Sequence, residues 1–409
     1  MTRPTANPLR AAGGRRAERL ARAIDAPLHH RCSGPLGIAW DRHRLRVVQI
    51  ARHRVPGFGR TPVRIARGAS VLRPDAGATP AAALRPDDVA VLGELVDRRG
   101  MVGPLARLAA PEGQLITASV DLAARDLVEA ETRIASEIER LFELAPGSYE
   151  VAAWPAPGGT RRDRSQHLLL HALRHTDADA ALDASQAGGL DPVAIDSAAW
   201  AAAALTGAAG WAGVSLVLHL NADRSLLTLI EDGVIAYERL LMDCGMADAE
   251  ALLPEAVTPA GYDGDAADDR QRLMRRYVFA PEAQNALPLR VRDAAEHFLG
   301  LLTSEAGPVI DYASARDRRR GVRRLAVVGE GAACRGLAGA LAERLGVPGA
   351  PLLASTDILG LTESGMTGIA TPTSKADAHC LDVWAIPAGL ALGEGGVGSI
   401  ARKGAACAA

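Results

Sequence analysis

Residues 325–346, LAVVGEGAACRGLAGALAERLG, constrain the fold more than any other stretch of the chain. Leu325 to Val328 form an apolar run without polar alternation, the pattern of a parallel strand covered on both faces. The run breaks at Gly329 and Gly331, which open backbone conformations closed to residues with side chains. Beyond Gly336, Leu337, Leu341 and Leu345 share one face of a helix that Gly346 stops and Pro348 cannot continue. A strand, a glycine turn and a helix whose first amides face that turn can hold a phosphate or a nucleoside. The same pattern also describes an ordinary strand-to-helix crossover.

Composition narrows the functions open to such a chain. Its 409 residues allow two or more domains with substantial cores. Acidic and basic residues nearly balance, for a formal net charge of −2, and aromatic residues make up only 3%. A nucleic-acid binder needs a basic face and stacking platforms, so this balance argues against one. Lys375 and Lys403 are the only lysines, so nearly all positive charge is arginine, which together with the abundant alanine reads as coding bias. The five cysteines, Cys32, Cys244, Cys334, Cys380 and Cys407, are scattered without a CxxC pair. That fits a reducing cytoplasm better than a disulfide framework or a zinc site. The N-terminal arginines lead into no apolar core, so residues 1–34 read as a basic, disordered tail rather than a secretory signal. Ala198 to Leu218 is uncharged and long enough to cross a bilayer. Its alanine and glycine content and the GAAGWAG break at 207–213 predict a helix, a loop and a buried strand instead.

Three strand-like runs, LGIAWD, RLRVVQIARHRV and TPVRIARGASVL, open the folded part at Pro35 and predict an antiparallel meander. A helix follows over 87–97, opened by Pro86 and closed at Gly100. PLARLAA and QLITASV are short strand candidates, and 126–144 reads as a helix with Leu127, Ile134, Ile138, Leu141 and Phe142 on one face. YEVAAWP and QHLLLHAL are strands around a polar loop, PGGTRRDRSQ; a helix spans 177–187, and GGLDPVAID leads into a strand edge. VSLVLHL, SLLTLI and VIAYERLL then repeat the meander roughly 175 residues after the first. Glu231-Asp232-Gly233 marks its second turn as a tight hairpin. Helices over 289–304 and 384–392 complete the pattern, which predicts two similar lobes with a cleft between them.

The order of these features, closing with VVGEGA and then AGLALG, resembles the actin-like ATPases, most closely the PilM family of type IV pilus assembly proteins. FtsA and the cytoplasmic part of GspL are more distantly similar. GspL is the less apt comparison, because that family continues into a membrane anchor that this sequence does not show. The resemblance covers residues 35–393 and implies the fold class: α/β, a two-lobed actin-like (ribonuclease H-like) fold with an inserted α+β subdomain. It divides the chain into a first lobe at 35–111, the inserted subdomain at 112–190, a return to the first lobe at 191–210, and a second lobe at 211–393. Residues 241–324 form a helical insertion in the second lobe, and 394–409 a loose tail. It further implies a cytoplasmic scaffold at the inner face of the cytoplasmic membrane, peripheral to it and working with other pilus assembly components. Its partner would be a PilN-like inner-membrane protein, whose cytoplasmic peptide lies in a groove along residues 112–190.

The same resemblance assigns the candidate site. LGIAWDRHRLRVVQI stands where the family has its first phosphate loop, LHLNADRSLLTLIEDG at the second, and VVGEGA at the adenosine-binding turn. The implied nucleotide-binding residues are therefore Asp41, Arg42, Arg44, Asn221, Asp223, Gly329, Glu330 and Gly331. Where the family's first loop reads Asp-Ile-Gly, this chain has Ala39, Trp40 and Asp41. Where the second has an aspartate and a glycine, it has His219 and Asn221, and Glu330 replaces a usual glycine. A Mg²⁺ site needs carboxylate or hydroxyl oxygens, which alanine does not offer, and Asp41 and Asp223 are displaced from the family's positions. Phosphoryl transfer depends on positioning and charge neutralisation, so losing both acidic positions removes the means of each. The expectation is a scaffold with a degenerate pocket: ATP is the cofactor the family implies, Mg²⁺ is not supported, and no catalytic or metal residue is assigned. The alternative is an active ATPase or phosphotransferase of the actin and sugar-kinase superfold. His167, His171 and His175 would align as metal ligands on a helix, but HLLLHAL reads as a strand, so they are not expected to converge. Cys334 reads as a small buried packing residue.

Overall fold

A computed structural model of the chain describes residues 33–53, 63–73, 84–110, 113–123, 130–160, 165–254, 270, 273–316, 321–359, 361 and 381–392. The first meander is β1 (Ser33–Trp40), β2 (Arg44–His53) and β3 (Val63–Leu72), each pairing antiparallel with the next. Strand β4 (Leu105–Ala109) joins β1 in parallel, β8 (Asp191–Asp196) joins β4, and the short β13 (Ile358–Leu359) joins β3. The sheet order is β13-β3-β2-β1-β4-β8, which puts DPVAID at the edge, as its sequence suggested. The run LRVVQI, Arg46 and Gln49 included, is buried on both faces because both are covered. Leu45 and Val47 pack under α1 (Pro86–Arg98) and α3 (His175–Ala187), while Val48 and Ile50 face the second half of the molecule.

The second half repeats this plan. Strands β9 (Val214–Leu220), β10 (Ser225–Glu231) and β11 (Val234–Leu241) form an antiparallel meander, and β12 (Arg324–Gly329) lies parallel to β9. Asp232 and Gly233 both take positive φ, 50° and 81°, the backbone of a two-residue hairpin turn. Helices α6 (Leu289–Arg316) and α7 (Leu337–Leu345) cover the outer face. Gly336 at φ 90° precedes α7, and Gly346 at φ 64° closes it in the left-handed conformation that glycine permits. Helix α6 is longer than expected: it passes Ser304 and carries Pro308 inside it. A helical proline forfeits a backbone hydrogen bond, but Ala306, Val309 and Ala313 are buried against the second sheet, and that burial holds the last turns in place.

Helices α4 (Ala198–Ala208) and α8 (Ala385–Leu392) fill the layer between the two sheets. The uncharged stretch at 198–218 is thus a helix, a loop and the start of β9, and among the described residues no helix is long and apolar enough to cross a membrane. Contacts in this layer are backbone to backbone: a Cβ on Gly37 would stand 2.0 Å from Pro387 O, and one on Gly389 would stand 2.1 Å from Ala201 O. Gly389→Ala is therefore expected to cost about 1–3 kcal/mol by overpacking, read as a lower urea midpoint with an unchanged slope.

A third sheet, order β5-β7-β6, comprises β5 (Ile116–Ala123), β6 (Tyr149–Thr160) and β7 (Ser165–Arg174). Helix α2 (Ala130–Phe142) packs Ile134 and Ile138 on one face of it against Leu168, Leu170 and Ala172. The expected polar loop between β6 and β7 is shorter than its composition suggested, because both strands run on to Thr160 and from Ser165. Residues 126–129, with Leu127, lie outside the described residues.

Candidate functional site

Three turns converge at one end of the interlobe layer. The β1–β2 turn closes with Asp41 N donating to Arg44 O at 2.9 Å, and the β9–β10 turn with Asn221 N donating to Arg224 O at 3.2 Å. The same turn is thus built twice, once per lobe. The third is the glycine turn after β12, where Gly329, at φ 79°, leads into a short 3₁₀ segment, Glu330–Ala333.

Buried charge joins these turns. Asp41 Oδ1 accepts from the backbone N of His43 (2.7 Å) and Arg44 (2.8 Å), and its Oδ2 accepts from Arg46 Nη1 at 3.1 Å. The other arm of the same guanidinium, Arg46 Nη2, donates to Glu330 Oε1 on the opposite lobe. Glu330 also pairs with Arg275 at 3.0 Å, from the helical turn Met274–Val278, and lies 3.7 Å from Arg44 Nε. Arg42 reaches Asp223 at 3.4 Å, so the two hairpin turns also touch directly. That last pair is about a third exposed and contributes little. The Arg46, Asp41 and Glu330 side chains are 7%, 4% and 11% exposed, so their pairing is what compensates the loss of water.

The two carboxylates on Arg46 respond to this setting in opposite directions. Burial pushes Asp41 up, against the pull of Arg46. Burial also opposes ionisation of Glu330, but Arg46, Arg275 and Arg44 together hold it down to about 2, from an ordinary 4.5. Because the folded value is the lower one, the stability Glu330 contributes is present above about pH 4.5 and is lost as pH falls towards 2. Urea midpoints across this range are expected to fall with pH in the native chain and to fall less steeply in Glu330→Gln.

A small cavity adjoins Asp41 and Arg46. Its volume is about 20 Å³, between Trp40, Asp41, Arg46, His219, Asn221 and Gly329, room for one water. The glycines permit close approach: a Cβ on Gly329 would stand 2.6 Å from His219 Cδ2 and 2.8 Å from Leu220 O, and one on Gly331 would stand 2.5 Å from Leu220 Cδ1. Trp40 is buried in the core beneath the first sheet. Among the described residues no three His, Cys, Asp or Glu side chains gather as a metal-ligand set.

Of the residues singled out from sequence, Asp41, Arg44 and Glu330 meet in one network, Arg42 and Asp223 meet beside it, and Asn221, Gly329 and Gly331 shape its walls. Sequence reasoning passed over Arg46, the hub. Its signal was present: within LRVVQI it shares the parity of the buried Val48 and Ile50, where a cation needs a partner. Arg275 had no such signal. His167 and His171 lie in β7 and His175 starts α3, each on its own carboxylate: Asp121 (2.8 Å), Glu238 (3.0 Å) and Glu150 (3.2 Å). Cys334 and Cys244 are buried in the second-lobe core and neither is in a disulfide; Cys32, Cys380 and Cys407 lie outside the described residues.

No family model and no curated protein sequence matches the chain. Among solved structures it is similar to a PilM-PilN type IV pilus biogenesis complex, 20% identical, with 88% of this chain and 98% of that chain covered and a TM-score of 0.64. The ethanolamine utilization protein EutJ from Carboxydothermus hydrogenoformans is 12% identical, over 91% of this chain and 93% of that one, with a TM-score of 0.49. MreB5 of Spiroplasma citri bound to ADP is 10% identical, over 88% and 96%, with a TM-score of 0.44. The chain has the actin-like fold that its sequence led us to expect.

Proposed function

We propose that this chain is a cytoplasmic actin-like scaffold of a type IV pilus or related secretion machine, held at the inner face of the membrane by the cytoplasmic peptide of a membrane partner. In this reading the nucleotide pocket is degenerate. The observation that carries it is the Glu330 carboxylate, seated among Arg44, Arg46 and Arg275 where a nucleotide's phosphates would need those cations. Ala39 gives Mg²⁺ no oxygen, and the cavity beside Asp41 and Arg46 has room for about one water. The pocket's position is then kept by an internal salt bridge across the lobes, and the fold's work is to present surfaces.

The lobes in this proposal are residues 35–111 with 191–210, and residues 211–393, with 112–190 inserted between them as the partner-binding unit. Fold likeness to the PilM-PilN complex supports the choice of machine, and the separate core of the three-stranded sheet supports an inserted unit. The test is a direct one. Neighbouring genes are expected to encode a single-span membrane protein with a short cytoplasmic head. A synthetic peptide of that head should bind the full chain with no nucleotide present. No binding, or binding only with ATP, would count against the proposal.

A further inference from the structure

The chain passes from the second sheet to the first over residues 348–359. Its near end lies along β12, where Leu325 N donates to Pro348 O and Ala350 N donates to Leu325 O, both at 2.9 Å. Its far end is β13, paired with β3 and flanked by the Arg64–Asp357 ion pair at 2.8 Å. Between these ends one side chain holds it. Asp382 Oδ2 accepts from the backbone N of Leu352 at 2.7 Å, and its Oδ1 accepts from that of Leu353 at 2.6 Å. Asp382 lies in the helical turn Leu381–Trp384, which runs into α8. Trp384 of the same turn is buried against β3, where a Cβ on Gly68 would stand 3.3 Å from its ring. The carboxyl therefore ties the crossing to the buried layer between the sheets.

Asp382 is 0% exposed, and the charged residues on the elements packed around its turn have partners of their own. Glu330 is held by Arg46 and Arg275, Arg324 lies over the Trp211 ring, Arg67 donates to the carbonyls of Arg99 and Gly100, and Arg64 pairs with Asp357. Neither α8 nor the short turn Leu353–Ser355 carries a charge. Two amide donors favour a carboxylate, whereas burial without a cation favours the neutral acid. Burial wins: it pushes Asp382 up to about 8 from an ordinary 3.8, against the pull of the two amides. Lifting the crossing gives the group water and returns it to ordinary acidity. Because the folded value is the higher one, the closed crossing has its full stability below about pH 4 and loses it as pH rises towards 8. That window lies above the one in which Glu330 acts.

We propose that Asp382 is a proton-operated pin on the crossing between the sheets: protonated, it holds Leu352 and Leu353 on the buried layer, and ionised, it releases them to water. The pin goes beyond the scaffold reading and does not depend on it. Hydrogen exchange of the full chain from about pH 5.5 to about pH 9.5, corrected for the intrinsic rate, tests it with β9 and β10 as internal reference. Protection over 350–359 is expected to fall about ten-fold per pH unit up to about pH 8 and then level off, as release of one proton requires, while the reference strands change less. Asp382→Asn removes the titrating group and should flatten that slope. Carbon-13 labelling of the Asp carboxyls leaves the chain unaltered, so a variant that fails to fold does not blunt the test. One carboxyl resonance of the native chain should titrate near 8, with the midpoint at which protection levels off. Protection over 350–359 constant to within about two-fold, an equal slope in Asp382→Asn, or no Asp carboxyl titrating above about pH 6 would overturn the inference.

Discussion

Replacing Arg46 with methionine is expected to destabilise the protein by about 3–5 kcal/mol, because it strands buried carboxylates rather than removing a surface contact. Arg46 holds Asp41 within its own lobe and Glu330 on the other, and none of the three side chains is more than 11% exposed. Glu330 keeps Arg275 at 3.0 Å in the variant, whereas Asp41 keeps only its two backbone donors and Arg73 holds its carbonyl, not its carboxylate. The penalty is thus one of uncompensated charge, and removing the charges should relieve it. The triple variant Arg46→Met, Asp41→Asn, Glu330→Gln should recover most of the loss, since a buried ion set replaced by neutral groups of similar size is often tolerated. Urea unfolding of the three proteins at neutral pH reads this directly. A loss below about 1 kcal/mol in the single variant, the range of exposed pairs, would show that the cluster is not the buried interlobe tie described above.

Trp154→Ala is expected to cost a comparable amount, about 3–5 kcal/mol, for a different reason. The indole is 3% exposed, packs edge-on to His171 and Trp200 at centroid distances of 4.6 and 4.9 Å, and donates from Nε1 to Ile235 O at 3.3 Å. It belongs to the interlobe core although it stands on the three-stranded sheet, whose other face has a separate core with α2. Truncation leaves a cavity at the junction and an unmet carbonyl at Ile235. The three-stranded unit should therefore loosen from the second lobe before the lobes unfold. Hydrogen exchange should report it as faster exchange in β11 and at the junction, with the α2 core protected. Uniformly faster exchange across all three sheets would argue that the unit has no independent core.

Much of the fold was legible in the sequence because strands covered on both faces write continuous apolar runs, and Gly336 and Gly346 mark a helix at both ends. The repeat of meander and parallel strand showed through for the same reason. What composition concealed was longer range. Pro308 reads as a stop, yet burial of Val309 and Ala313 against the second sheet carries α6 past it. The glycines of the β12 turn read equally well as a phosphate cradle or as packing, and the positions of His219 and Leu220, which leave no room for a Cβ, could not be read from the sequence. Asp41, Arg44 and Glu330 could be named from their places in the order of motifs, but their mutual pairing depends on Arg46, and Arg275 arrives from a segment that carries no motif. Charges far apart in sequence neutralise one another here, and no local pattern records that.

In the proposed reading Glu330, held by Arg44, Arg46 and Arg275, takes as part of the protein the place of a nucleotide's phosphates. Calorimetric titration of the full chain with ATP, with and without Mg²⁺, tests it most directly. The account predicts no binding up to millimolar ATP in either condition and no phosphate release. Micromolar affinity that depends on Mg²⁺, accompanied by turnover, would contradict it.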